Sequence, residues 1–112
     1  MEARVEKLDV SVHTIPTDSP ESDGTMEWDS TTIVLVEAHG GGRTGVGYTY
    51  TAAAAGALID EKLREVVEGS DMFALGETWL AMGATLRNVG RPGLASCAVS
   101  AVDTAQIGRA HV

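Results

Sequence analysis

The chain has 112 residues, with 8 Lys and Arg against 16 Asp and Glu and a net charge of −8. That length fits one small domain with a modest core, and the scattered basic residues exclude the phosphate-neutralising surface that nucleic acid needs. No apolar run reaches about 18 residues, so no membrane span is expected, and the opening "MEARVEKLDV" is charged and then alternating, unlike a signal peptide.

Residues 4–15, "RVEKLDVSVHTI", set Leu8, Val10 and Val12 against Lys7, Asp9, Ser11 and His13. This alternation predicts a half-buried strand, which Pro16 is expected to end. Residues 16–30, "PTDSPESDGTMEWDS", read as a polar loop and are expected to be the most mobile part of the chain. The acids Asp18, Glu21, Asp23, Glu27 and Asp29 lack the ligand order of a calcium loop, so solvation is their expected state. Met26 and Trp28 among them imply a surface to cover. Residues 31–39, "TTIVLVEAH", are β-branched and nearly all apolar, which predicts a central, covered strand. A turn is expected at Gly40 to Gly42, then a third strand over 43–50 with Val46, Tyr48 and Tyr50 on one side. Gly45 and Gly47 leave the other side bare, as if something packs closely there. The three strands predict an antiparallel meander.

After Thr51, a candidate N-cap, the period changes to that of a helix. Ala55, Leu58, Ile59, Lys62, Leu63, Val66 and Val67 form one stripe, closed by Gly69. A second helix is expected from about Ala74 to Asn88, with Trp79, Leu80, Met82 in part, Gly83 and Leu86 buried, and Gly90 as its terminator. Pro92 is expected in the first turn of a third helix, whose buried face is Leu94, Ala98, Ala101, Val102 and Ala105. Cys97, the single cysteine, lies in this stretch; it predicts a buried inert thiol, no internal disulfide and a cytoplasmic setting. Three strands followed by three helices is an α+β layout with helices on one face of the sheet.

The remaining motifs carry little chemistry. "HGGG" at His39–Gly42 matches the oxyanion loop of some esterases, but no G-x-S-x-G elbow is present and a hairpin turn explains it. "GVGYTY" is not a dinucleotide fingerprint. His13, His39 and His111 have no second ligand type at metal-binding spacing, so no zinc site is expected.

"VEKLDVSVHTIP", the polar loop, "STTIVLVEAHGGGRTGVGYTY" and "NVGRPGLASCAVSAVDTA" together resemble the N-terminal capping domain of the mandelate racemase and muconate lactonizing group of the enolase superfamily. The stretch Gly90-Arg91-Pro92-Gly93 leading into "AVSAVDTA" is the most specific, and the likeness covers residues 3–105. The resemblance implies that residues 1–105 are a capping domain and that a C-terminal barrel carries the catalytic bases and the Mg²⁺ carboxylates. No catalytic or metal-binding residue maps onto this chain, and no cofactor is expected on it. The resemblance places two lid segments at about Ile15–Ser30 and Tyr48–Ala54, with Glu21, Trp28, Tyr48 and Tyr50 as candidate substrate-lid residues. The parent reaction would be proton abstraction α to a carboxylate, in a racemase (isomerase) or a sugar-acid dehydratase (lyase). Expected partners are the barrel and a small, polyhydroxylated carboxylic acid, with no nucleic acid or membrane, in a homo-oligomeric parent.

Where the family continues with Leu-Trp-Asp-Leu, this chain has Gln106 and then "IGRAHV". One frame of a common short-read sequencing adapter, ATC GGA AGA GCA CAC GTC, spells those six residues and is followed by TGA. Residues 106–112 are therefore expected to be a non-native tail. The third helix, with Leu94, Ala95, Ala98, Val99, Ala101 and Val102 on its surface, would then lack its barrel partner, leaving the fragment inactive and poorly soluble. The alternative is a free-standing binding or dimerisation module, which requires residues 106–112 to be genuine and a partner for that helix within the chain.

Overall fold

The computed structural model describes residues 3–110, with side chains through Gly108; His111 and the end of the tail lie outside the described residues. The three strands are β1 (Lys7–Ser22), β2 (Glu27–Gly40) and β3 (Arg43–Tyr50), in one antiparallel sheet of order β1-β2-β3. One long helical passage follows, formed by α1 (Ala53–Leu58), a π-helical segment (Ile59–Leu63) and α2 (Arg64–Val67), then α3 (Leu75–Thr85) and α4 (Leu94–Ala110). This is the expected α+β meander with helices on one face, and β2 is central as its composition predicts, but it is covered on one face only: Val34, Val36 and Ala38 are buried while Ile33, Leu35 and Glu37 are half-buried.

The alternation of β1 and β2 builds the core. Leu8 pairs with Ala38, Val10 with Val36 and Val12 with Val34, and in β3 the residues opposite Ala38, Val36 and Val34 are Gly45, Gly47 and Thr49. These side chains point to the helices, as period-two geometry requires. Leu8, Val34, Val36, Ala38, Ala55, Ile59, Leu63, Val67, Met82 and Leu86 form the buried cluster with the small residues of α4. Gly41 and Gly42 turn β2 into β3 with φ of 59° and 75°, the two positive values of a type I′ hairpin turn. The "HGGG" motif is therefore a hairpin.

The bare face of β3 is occupied by α4. A Cβ on Gly47 would sit 2.0 Å from the carbonyl oxygen of Ala101 and 2.7 Å from the amide nitrogen of Ala105. Ala95, Ala98, Ala101, Val102 and Ala105 are buried, so small residues on the helix meet glycine on the strand and the two backbones nearly touch. This corrects the expectation that α4 would lack a partner, since the chain's own sheet covers its apolar face. Leu94, placed on that face by spacing, is instead exposed.

Several boundaries also differ. Pro16 does not end β1. It pairs with Ser30, and after a bulge the pairing resumes at Glu21–Trp28 and Ser22–Glu27. A proline is tolerated there because β1 is an edge strand. The expected loop at 16–30 is thus a two-stranded ribbon whose tip is an Asp23 turn. Thr51 is not the N-cap; Ala52 is, with no side-chain cap bond, while the Thr51 amide donates to the Thr32 carbonyl at 3.1 Å. Trp79 and Leu80 are exposed, and Thr78, Met82 and Leu86 are buried, so the inward face of α3 is rotated from the expected one. Pro92 lies outside α4, whose first turn closes on the Gly93 carbonyl through the Cys97 amide at 3.0 Å. Cys97 itself is only half-buried.

A polar clasp fixes the helical passage to β1. Arg64 donates to the Leu8 carbonyl, to Asp60 and, at 3.0 Å, to Glu68 Oε2, which accepts the Leu8 amide at 2.8 Å. The acids beside it hold the guanidinium pKa above its usual value, Asp60 contributing most. Among the described residues no helix is long and apolar enough to cross a membrane.

Candidate functional site

Both expected lid segments emerge at one end of the sheet. Tyr50 closes β3 opposite Ile33, and the β1–β2 ribbon continues beyond that row. From Ile33 to Trp28 is five residues of extended β2, about 17 Å at strand spacing. The molecule is accordingly long, 51 × 32 × 20 Å.

At the ribbon tip, Asp23 Oδ1 accepts the Thr25 amide at 2.7 Å, the Met26 amide at 2.9 Å and the Thr25 hydroxyl at 2.9 Å. These donors, the Thr25 amide foremost, hold the Asp23 carboxyl below its usual range. Asp23 is thereby committed to the turn. Glu21 and Trp28 are cross-strand partners and share a face; by alternation along β2 it is the helix-bearing face. Trp28 is half-buried and Glu21 exposed.

The four candidate lid residues therefore divide. Tyr48 and Tyr50 lie on the opposite, open face of the sheet, their rings edge-to-face at 5.7 Å between centroids. The ribbon pair and the tyrosine pair do not converge on one point. Reading residues 16–30 as a loop hid this division: Trp28 follows from alternation along β2, while Glu21 owes its face to the Pro16–Glu21 bulge, which the sequence does not announce.

A second concave region lies between α3 and α4, a groove of about 210 Å³ lined by Trp79, Leu86, Arg91, Ala95, Val99 and Asp103 among others. The Arg91 guanidinium stacks over the Trp79 ring at 5.3 Å, a cation–π contact that explains why an exposed tryptophan sits on α3. Asp103 faces this groove, and burial raises its carboxyl pKa. On the open face near the hairpin, Asp9 accepts from Lys7 at 3.2 Å and from His39 Nε2 at 2.9 Å, while His39 Nδ1 meets the Thr44 hydroxyl at 3.0 Å. The Lys7 hydrogen bond is the main reason the Asp9 pKa is lowered. Among the described residues no group of three or more His, Cys, Asp or Glu comes together that could hold a metal ion. Mg²⁺ therefore has no fitting donor set here.

No family model matches the chain. Individual proteins do. The chain is 32% identical over 109 residues to the 3,6-anhydro-alpha-L-galactonate cycloisomerase of Streptomyces coelicolor, covering 90% of this chain and 30% of that protein. It superimposes with a TM-score of 0.90 and 57% identity on a mandelate racemase/muconate lactonizing enzyme-like protein from Rubrobacter xylanophilus, covering 92% of this chain and 29% of the other. The chain's relatives are mandelate racemase/muconate lactonizing enzyme-like proteins of the enolase superfamily. Its fold is that of their N-terminal domain. L-talarate/galactarate dehydratase from Salmonella typhimurium LT2, solved with Mg and L-lyxarohydroxamate, matches at 26% identity and a TM-score of 0.78, over 94% of this chain and 29% of the dehydratase. The chain spans about 30% of the length of the relatives it matches.

Proposed function

We propose that this chain is the lid domain of a Mg²⁺-dependent enzyme that removes a proton α to a carboxylate, a racemase or sugar-acid dehydratase, with base and metal ligands on a C-terminal barrel. The observation that best supports this is the placement of both lid segments at one end of the sheet, the ribbon extending past Tyr50. On this reading the chain supplies no catalytic group and is inactive alone. Mg²⁺, when bound by the barrel, would stabilise the enediolate.

The lid's own work is selection. Glu21 is an acceptor-only carboxylate on the same face as Trp28. A substrate's distal hydroxyls would donate to Glu21 while Trp28 covers a carbon face. A second carboxylate on the substrate would be repelled there, so the reactive carboxylate faces the barrel. Glu27 and Asp29 fall on the other face of the ribbon and remain solvated. Tyr50, at the root of the second lid segment, and Tyr48, one step further from the mouth, stand on the opposite face and do not join the Glu21–Trp28 pair. The cycloisomerase's activity, on 3,6-anhydro-alpha-L-galactonate, agrees with a polyhydroxylated monocarboxylate; L-talarate and galactarate, named for the dehydratase, carry the second carboxylate that Glu21 would disfavour.

A graft of residues 3–105 onto the barrel of the Rubrobacter protein tests this. Sugar acids are expected to exchange their α-proton for deuterium in a Mg²⁺-dependent way, and Trp28→Ala is expected to lower kcat/KM about tenfold. Exchange with no sugar acid, or turnover confined to apolar acids, would overturn the reading. We also propose that residues 106–112 are foreign to the domain. In support, Gln106 is fully buried and neither side-chain polar atom meets a partner among the described residues, although α4 continues through the tail to Ala110. Any codons at 107–112 other than the adapter's would sink that proposal.

A further inference from the structure

The groove between α3 and α4 holds two charges of opposite sign that do not meet. Arg91 and Asp103 both line it, yet among the described residues neither side chain has an ion-pair or hydrogen-bond partner. Elsewhere the chain pairs its charges, Arg64 with Asp60 and Glu68, and Asp9 with Lys7 and His39.

Arg91 is held on the α3 side. Its guanidinium stacks over the Trp79 ring at 5.3 Å, and Gly83 leaves it room, since a Cβ there would stand 3.2 Å from Arg91 Nη2. The Ser96 hydroxyl donates to the Arg91 carbonyl and ties the corner to the first turn of α4. Asp103 belongs to the α4 wall. Ala95, Val99 and Asp103 follow at intervals of four along one face of that helix. Asp103 is half-buried, and burial raises its carboxyl pKa. The groove thus has a cation on one wall, an anion on the other, and the carbon surfaces of Trp79, Leu86 and Val99 within it.

That arrangement discriminates by charge. A simple anion would be attracted by Arg91 and repelled by Asp103. A simple cation meets the reverse. An uncharged apolar molecule would take water from both charges and return nothing. A molecule that carries both charges on a short carbon skeleton satisfies both walls at once, with charge-assisted hydrogen bonds at each end. Size narrows the class. The groove holds about 210 Å³, and a cavity of about 150 Å³ accommodates benzene, so about eight or nine non-hydrogen atoms fit.

We propose that the α3–α4 groove binds a small amino acid, its carboxylate on Arg91, its ammonium on Asp103 and its carbons against Leu86, Val99 and Trp79. No residue of either lid segment lines this groove, so the site is separate from the one proposed for the substrate.

Two-dimensional ¹H–¹⁵N NMR of the 112-residue chain tests this, with leucine and with 6-aminohexanoate, which sets the same two charges further apart. At least one of them is expected to shift the Trp79 indole and the Ser100 and Asp103 amides saturably, with a Kd on the order of 1 mM. The same skeleton without the ammonium (4-methylpentanoate or hexanoate) or without the carboxylate (3-methylbutylamine or pentylamine) is expected to bind at least about tenfold more weakly. Asp103→Asn is expected to abolish the preference over the acid, and Arg91→Gln the preference over the amine, each with an unchanged circular-dichroism spectrum. No saturable shift with either amino acid up to about 50 mM would overturn the proposal. So would single-charge analogues that bind as tightly, or a preference that both variants retain. None of these results touches proton exchange on the barrel graft, so this inference and the functional reading fail separately.

Discussion

On one side of β3 the side chains are reduced to hydrogen, at Gly45 and Gly47, so that a helix lies against the strand backbone. On the other side of the same eight residues stand Val46, Tyr48 and Tyr50, and no element of the described chain covers them. The more hydrophobic side is the open one. Hydrophobicity alone would have turned this strand over. The covered side of β3 was settled by the fit of α4, whose own face is alanine and valine, and glycine serves there as a core residue. Close backbone contact leaves no slack, while the open face accommodates side chains of any size.

That contrast can be broken at its tightest point. Gly47→Ala is expected to cost more than about 3 kcal/mol, because the new Cβ meets the backbone of α4 rather than a movable side chain. Urea denaturation measures it, and a loss below about 1 kcal/mol would show that α4 can slide away.

A smaller effect of opposite sign is expected at the far end of the same helix. Gln106→Leu removes a buried amide without partners and should gain about 1–3 kcal/mol in the same measurement. An unchanged midpoint would mean the amide is satisfied in solution.

Asp103 sharpens the comparison by pH. Its carboxyl pKa is raised above the ordinary 3.8 by burial. The folded state then holds its proton to higher pH than the unfolded state does, so stability falls as pH rises from the unfolded value through the folded one. Asp103→Asn should therefore raise the thermal midpoint modestly at pH 7, and the gain should vanish below about pH 3.5. Asp23 runs the other way. Its lowered pKa gives stability that is present above the unfolded value and lost as pH falls through the folded one. Asp23→Ala is expected to speed amide exchange at Thr25 and Met26 while leaving the core amides protected.

The smallest effect belongs to the open face. Val46→Thr should fall within about 0.5 kcal/mol of the parent chain at low concentration, one residue away from the most sensitive position in the strand.

Much of this was legible in the residues. Alternation in "KLDVSVH" gave β1 and its covered side, the apolar run "TTIVLVEAH" gave a central strand but not that one of its faces stays open, and the glycines of "RTGVGYTY" announced a close neighbour, although not that it would be α4. The misreadings share a cause, in that tertiary context outweighed a local signal. Pro16 stops a strand only where its missing N–H is needed, and an edge strand does not need it. Thr51 has capping chemistry, but its backbone is held by Thr32. Trp79 reads as core by size, yet it serves as a platform for Arg91, 12 residues away in sequence. The lid pair Glu21 and Trp28 was legible as composition only; their partnership depends on a bulge of four residues, 17–20, opposite the single Asp29.

The π-helical turn at Ile59–Leu63 has its own consequence. Ala55, Ile59, Leu63 and Val67 are all fully buried and all four residues apart. In a regular α-helix each such step overshoots a full turn by about 40°, so the three steps from Ala55 to Val67 would spiral off a flat sheet by about 120°. A wider turn rotates less per residue and takes back part of that overshoot, keeping the four side chains in one file. The segment works like a leap day in a calendar, an extra interval that keeps an imperfect period in step. Deleting Glu61 would restore an unbroken α-helix and, by the same count, turn Arg64 away from the Leu8 carbonyl it holds.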